Sequence, residues 1–216
     1  MVWKMETSNG NESAKIKWRA LPYLRGSGLD IGCGPWKISP HAVGIDGQSF
    51  NVPPGRGPNL QMNCTQLPVF ADDCFDFVYS SHLLEHVVDT EAVLREWLRV
   101  LSPGGYLVLY LPHKNLYPNI GEPGANPDHK HDFLPQDVIG VMRKISADVG
   151  LALIENEERN GGDEYSFFQV YLKCAVPGFS DRTQPRSEKT EQPYDDVASR
   201  SQHAGSIAHP TAYFIG

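Results

Sequence analysis

The sequence predicts an α/β protein: a mostly parallel sheet with covering helices, an antiparallel last strand, and short or missing helices in its first half. Three observations carry this. Short apolar runs bounded by Gly, Pro, Asn and Asp recur along the chain. Two longer stretches, 90–101 and 135–149, space their apolar residues helically. The connections over 32–41 and 48–58 are filled with Pro and Gly, which oppose full-length crossover helices there.

Taken in order, residues 13–24 suit an amphipathic helix through Ile16, Ala20 and Leu21 that Pro22 ends or distorts. Residues 28–31 form a first strand, followed at once by Gly32-Cys33-Gly34-Pro35, and 42–45 a second that ends at Asp46. A short third strand over 60–63 precedes Leu67-Pro68, and a fourth over 75–80 alternates aromatic with smaller residues. Thr90 is an N-cap for a helix through Val93, Leu94, Trp97, Leu98 and Leu101, stopped by Ser102-Pro103-Gly104-Gly105. Residues 106–111 are the fifth strand. The following 112–133 form a long irregular loop of the kind that often carries function. Pro135 opens a helix whose apolar face holds Val138, Ile139, Met142, Ile145 and Val149, and Gly150 ends it. Strands over 151–155 and 165–174, separated by Asn160-Gly161-Gly162, form an antiparallel hairpin, with the aromatic content of 164–171 read as packing.

At 216 residues the chain suits one catalytic domain. The expected division is an N-terminal segment 1–25, a domain 26–175 and a disordered, polar tail 176–216, with an apolar end at 212–215. A formal charge of -7 argues against broad nucleic-acid binding, which needs clustered cations to neutralise phosphates. Cys33, Cys64, Cys74 and Cys174 lack paired Cys-x-x-Cys spacing and are expected as reduced, mostly buried thiols. No apolar run has the length of a membrane span, and the N-terminus lacks a signal-peptide pattern, so a cytoplasmic protein is expected.

Leu29-Asp30-Ile31-Gly32-Cys33-Gly34 places a carboxylate at a strand end and two glycines in the turn after it, where backbone can approach a ligand closely. Gly44-Ile45-Asp46 ends the next strand with a second carboxylate, able to accept hydrogen bonds from both hydroxyls of a ribose. Together with residues 67–86, which run Leu-Pro-Val-Phe-Ala-Asp-Asp-Cys-Phe-Asp-Phe-Val-Tyr-Ser-Ser-His-Leu-Leu-Glu-His, and with Leu101-Ser-Pro-Gly-Gly-Tyr-Leu107, the chain resembles class I S-adenosylmethionine-dependent methyltransferases. The resemblance covers 26–111 and, more weakly, the last two strands. It implies a Rossmann-like fold with S-adenosylmethionine as cofactor. By it, Asp30, Gly32 and Gly34 would surround the methionine part, Asp46 the ribose, Asn63 and the Cys64 backbone the adenine, and Ser80 the transferable methyl. Two departures stand out: Trp36 replaces a usual third glycine, and Asn63 stands where an acid often meets the adenine amine. A dinucleotide-dependent oxidoreductase is the competing enzyme, but Lys37 occupies the third glycine position of its Gly-x-Gly-x-x-Gly motif.

For the acceptor, an oxygen nucleophile would be helped by a nearby base, and His82 after the fourth strand is one candidate. If helical, His82 and His86 share a face with Glu85 and superficially suggest metal ligands. In the resembled family this stretch belongs to a cofactor-side helix, and no metal is assigned. His129 and His131, within Asp128-His129-Lys130-His131-Asp132 and downstream of His113 and Tyr117, are the other base candidates and make the long loop the expected acceptor site. The Asp-His-Lys-His-Asp-Phe segment and the late Glu-Tyr-Ser-Phe strand are similar to small methyltransferases of surface-glycan assembly, which implies a sugar hydroxyl; a small metabolite is the competing acceptor. The departures at Trp36 and Asn63 leave open a cofactor-binding, non-catalytic subunit that serves a partner protein.

Overall fold

The computed structural model describes residues 11–183. Eight strands, β1 (Gly28–Ile31), β2 (Val43–Asp46), β3 (Leu60–Gln61), β4 (Phe75–Ser81), β5 (Leu101–Pro112), β6 (Gly150–Arg159), β7 (Ser166–Cys174) and β8 (Phe179–Asp181), make one sheet. Its order is β3-β2-β1-β4-β5-β7-β6-β8. Pairs from β3 through β5 are parallel, β7 runs antiparallel to both β5 and β6, and β8 lies parallel to β6. Chain direction across the sheet reverses between β1 and β4. That switch point leaves a crevice beyond the strands' carboxyl ends, the place where open α/β sheets bind ligands.

Alternation along the central strands feeds two cores. Leu29, Ile31, Val78, Leu107 and Leu109 face α2 (Thr90–Val100) and α3 (Pro135–Ile145), which contribute Leu94, Trp97, Leu98, Val138 and Met142. Phe77, Tyr79, Val108 and Tyr110 point the other way, against Ile16 and Ala20 of α1 (Glu12–Ala20). Among the described residues no α-helix separates β1 from β2 or β2 from β3, as the Pro and Gly content of both connections predicts.

Several boundaries differ from expectation. The N-terminal helix stops at Ala20, and Pro22 sits in a 3-10 turn, Leu21–Tyr23. Asp89, not Thr90, caps α2, its carboxylate accepting the Ala92 N–H at 3.0 Å; both residue types cap well, and the choice slips by one position. β5 begins at Leu101, because Ser102-Pro103-Gly104-Gly105 is carried as an irregular part of the strand, with shifted register between Phe75 and Phe77 of β4. β6 continues to Arg159 through a register shift between Leu153 and Glu155. The sheet also runs past residue 175: Leu151 pairs with Phe179 and Leu153 with Asp181, so ordered structure replaces the first part of the expected tail. The rest of that tail from 184, its apolar end and residues 1–10 lie outside the described residues. Cys33 and Cys64 are buried as expected, but Cys74 is exposed and Cys174 half-buried. No described helix is long and apolar enough to cross a membrane.

Candidate cofactor and acceptor site

The carboxyl end of β1 turns through two left-handed glycines, Gly32 at φ +70° and Gly34 at φ +54°. Ile45 O accepts both the Gly32 N–H at 2.8 Å and the Cys33 N–H at 3.3 Å, which clamps the turn to β2. A Cβ at Gly32 would stand 2.8 Å from Leu83 Cδ2, whereas one at Gly34 would meet nothing within 4 Å. Gly34 therefore borders open space. The Asp46 carboxylate accepts the Gly34 N–H and the Gln48 N–H, each at 2.9 Å, and remains half-exposed.

Asp30 is only 1% exposed and is not among the residues lining the cleft. Its Oδ2 accepts the Ile38 N–H at 2.6 Å and so anchors the descending side of the loop; Oδ1 has no hydrogen-bond partner. Burial pushes its pKa up to about 7, against the opposing pull of the Ile38 N–H and Lys37. The sequence expectation put this side chain at the ligand, but the structure gives it the loop to hold.

A cleft opens between the start of α1 (Asn11, Glu12, Ser13), the loop 32–36, and Ser81 and His82 after β4. Trp36, the departure from the glycine pattern, forms part of its wall, with the Arg56 guanidinium 5.2 Å from its ring centre. Beyond Asp46, Met62 N–H donates to Asp46 O at 2.9 Å, so Asn63 and Cys64 extend this edge. Asn63 Oδ1 accepts from Thr65 N and Thr65 Oγ1 in a local turn, and the buried Cys64 carbonyl accepts the Trp97 indole N–H at 2.9 Å. Ser80 is buried, its hydroxyl donating across to Ile31 O at 3.1 Å. Its successors Ser81 and His82 reach the cleft instead, because strand alternation turns Ser80 inward.

His82 takes a left-handed backbone, φ +49°, unusual for a residue with a side chain and a local strain of the kind found at functional positions. Its N–H donates to Tyr110 O at 2.9 Å, and its Nε2 lies 3.0 Å from Ser166 Oγ. Burial, with Lys15 nearby, lowers its pKa to about 3, so the imidazole is neutral around pH 7. Tyr165 donates to Glu12 Oε1 at 2.8 Å, and Lys15 Nζ lies 3.0 Å from the other Glu12 oxygen. Glu12, Lys15, Tyr165 and Ser166 were not among the sequence candidates. The Glu-Tyr-Ser-Phe segment held the signal, but only the packing of α1 across β5 and β7 shows that its polar members meet the cleft.

The loop histidines lie elsewhere. His129 is buried, its ring edge-on to His86 at 4.8 Å and tilted against Tyr117 at 5.4 Å. His131 stacks on Phe133 at 5.2 Å with Nε2 3.3 Å from Val88 O. Both line a separate shallow pocket with His113, Lys114 and Tyr117, not the cleft that holds His82. The stretch 82–86 is not one helix: only Leu84–His86 form a 3-10 turn. Even so, His82 Nδ1, His86 Nε2 and His129 Nε2 stand 3.9, 3.8 and 3.9 Å from the same oxygen, Glu85 Oε1. Burial pushes the Glu85 carboxyl up to about 8.

A glycine turn at the end of β1, an acid at the end of β2 and an antiparallel β7 set between β5 and β6 define a class I S-adenosylmethionine-dependent methyltransferase fold. Comparison with known proteins agrees with that fold: the family described as a methyltransferase domain matches residues 29–109 of this chain. A demethylmenaquinone methyltransferase of Mycolicibacterium paratuberculosis is 54% identical over 54 residues, 25% of this chain and 23% of that protein. A ubiquinone/menaquinone biosynthesis C-methyltransferase of Vibrio parahaemolyticus is 32% identical over 111 residues, 44% of this chain and 42% of its own length. The chain thus matches under half the length of these curated relatives. An S-adenosylmethionine-dependent methyltransferase from Mesorhizobium loti shares the fold with a TM-score of 0.56 at 18% identity, over 76% of this chain and 99% of that one.

Proposed function

We propose that this protein acts in the cytoplasm and transfers the methyl group of S-adenosylmethionine to a hydroxyl of a sugar or surface-glycan precursor. The observation that carries the acceptor class is the polarity of the cleft end beside His82, where Glu12, Ser13 and Ser81 line the wall. Tyr165 and Ser166 hydrogen-bond to Glu12 and His82 there. A quinone ring needs a mainly apolar pocket, whereas a polyhydroxylated acceptor finds partners here.

The cofactor fits what the residues offer. Gly34 presents backbone to open space, Gly32 and Cys33 are fixed by Ile45, and Asp46 stands where ribose hydroxyls would be accepted. Asn63 and Cys64 would border the adenine. When bound, S-adenosylmethionine supplies a methyl group on a sulfonium that a nucleophile displaces in line. The chain's part is orientation, which can supply much of the acceleration of such a step. Neutral His82, steadied by Ser166, accepts a hydrogen bond from the acceptor hydroxyl, whose proton leaves to water as the methyl is transferred, and the Glu12–Tyr165 pair fixes the neighbouring hydroxyl.

The test is calorimetric titration with S-adenosylmethionine and S-adenosylhomocysteine, followed by radiolabelled methyl transfer to nucleotide sugars, glycan precursors and demethylmenaquinone. Label on a sugar hydroxyl supports the reading, and label on the quinone alone overturns the acceptor class. Cofactor binding with turnover only after a partner protein is added favours the non-catalytic subunit.

A further inference from the structure

The methyl-transfer reading makes no use of Glu85 or of the two histidines beside it. We propose that Glu85, His86 and His129 form a binding site for one divalent first-row transition ion, with zinc the best match to two imidazoles and a carboxylate. Their ligand atoms lie within 4.8 Å of one another, and both imidazole Nε2 atoms face Glu85 Oε1, at 3.8 and 3.9 Å. Around a tetrahedral ion with bonds of about 2.0–2.1 Å, neighbouring ligand atoms stand roughly 3.4 Å apart. Side-chain movements of roughly half an ångström to one and a half ångströms close the difference.

An independent observation points to a ligand. Glu85 is 1% exposed at its side chain, and neither of its carboxylate oxygens has a hydrogen-bond partner. A buried carboxyl group with neither oxygen partnered forgoes the hydrogen bonds it makes in water, and a divalent ion between it and the two imidazoles supplies the missing partner. The surroundings are also those of a ligand set. Glu85 O accepts the N–H groups of Lys130 and His131, at 2.7 and 3.2 Å, so the loop carrying His129 is tied to the turn carrying Glu85 and His86. The N2O donor set suits zinc and its first-row neighbours better than magnesium or calcium, which take oxygen ligands.

His82 Nδ1, 3.9 Å from Glu85 Oε1, connects this site to the cofactor cleft. Metal binding at Glu85, His86 and His129 does not rest on the methyl-transfer reading.

The full chain, stripped with a chelator, is titrated with Co2+ while visible absorption is followed, then challenged with Zn2+, and bound metal is counted by mass spectrometry. Glu85→Gln and His129→Asn are compared with His131→Asn, a neighbour outside the set. Circular dichroism and S-adenosylhomocysteine binding report folding. One equivalent of Co2+ with a ligand-field band that Zn2+ bleaches is expected. Affinity should fall by at least about 10-fold in both ligand variants, since even loss of a partner behind a ligand costs about 10- to 100-fold, and stay unchanged in His131→Asn. Absence of stoichiometric metal in a chain that binds S-adenosylhomocysteine overturns the site and leaves methyl transfer standing. So does equal metal affinity in a folded ligand variant, and if one variant fails to fold the other decides.

Discussion

The Asp46 carboxylate accepts the Gly34 N–H at 2.9 Å, joining the end of β2 to the glycine turn after β1. One side chain thus shapes the turn and stands at the position proposed for the ribose. Asp46→Ala is expected to weaken S-adenosylmethionine and S-adenosylhomocysteine binding by 10-fold or more, since hydrogen bonds to a charged group contribute about 1.5–3 kcal/mol. Half-exposure keeps the cost to folding small. Calorimetry with a parallel thermal melt checks both, and undiminished affinity would remove Asp46 from the cofactor site.

Gly32 and Gly34 share a left-handed backbone but not a neighbourhood. Alanine at Gly32 adds a Cβ at 2.8 Å from Leu83 Cδ2 and 3.1 Å from Leu83 Cβ, whereas at Gly34 it meets nothing within 4 Å. Gly32→Ala should therefore cost about 2–4 kcal/mol, combining left-handed strain of about 1–2 kcal/mol with overpacking. Gly34→Ala should cost about 1 kcal/mol in stability and lose more in cofactor affinity, because its Cβ enters the space proposed for the ligand. Melts and calorimetry on both variants must show this crossover; equal losses in each assay would contradict it.

What the sequence could show follows from the range of the interactions. β1 and the glycine turn after it, the acid ending β2, the helix-poor first half and the apolar faces of α2 and α3 are local patterns, and all were legible. β8 was not, because Phe179 is its one apolar residue and its pairing with Leu151 depends on the sheet already being built. The choice between Ser80 and Ser81 was hidden for a similar reason: alternation says that one faces inward, and only packing says which. Glu85 meets His129 through a loop folded back onto a 3-10 turn, and Glu12 meets Tyr165 through a helix laid across the sheet. Neither encounter leaves a periodic trace in the chain.

Asp30 makes stability depend on pH. Its pKa rises from 3.8 to about 7 through burial, with Asp46 pushing the same way and Lys37 and the Ile38 N–H opposing. The Cys33 thiol and Tyr79 hydroxyl, also raised by burial with Asp30 contributing, stay neutral through this range. Between these values the folded chain keeps a proton that the unfolded chain has lost. The contribution is fully present below about pH 3.8 and is lost as pH rises through about 7, at up to about 1.4 kcal/mol per pH unit. Urea unfolding at pH 5 and 8 should show a fall that Asp30→Asn reduces by an amount on the order of a few kcal/mol. Parallel pH profiles for the two proteins would refute the assignment.

Trp97 is fully buried in α2, and its indole N–H donates to the Cys64 carbonyl at 2.9 Å, on the edge proposed for the adenine. Trp97→Phe leaves that buried carbonyl without its donor, a loss of about 1–3 kcal/mol before the cost of the vacated volume. Leu98→Ala, at a fully buried position on the same helix, should cost about 2–5 kcal/mol through a cavity while leaving Cys64 alone. Thermal melts are expected to show both variants destabilised, and S-adenosylhomocysteine titrations to show a several-fold affinity loss in Trp97→Phe alone. Because destabilisation is common to the pair, a matching affinity loss in Leu98→Ala would mean that general loosening, not the Cys64 carbonyl, governs the cofactor edge.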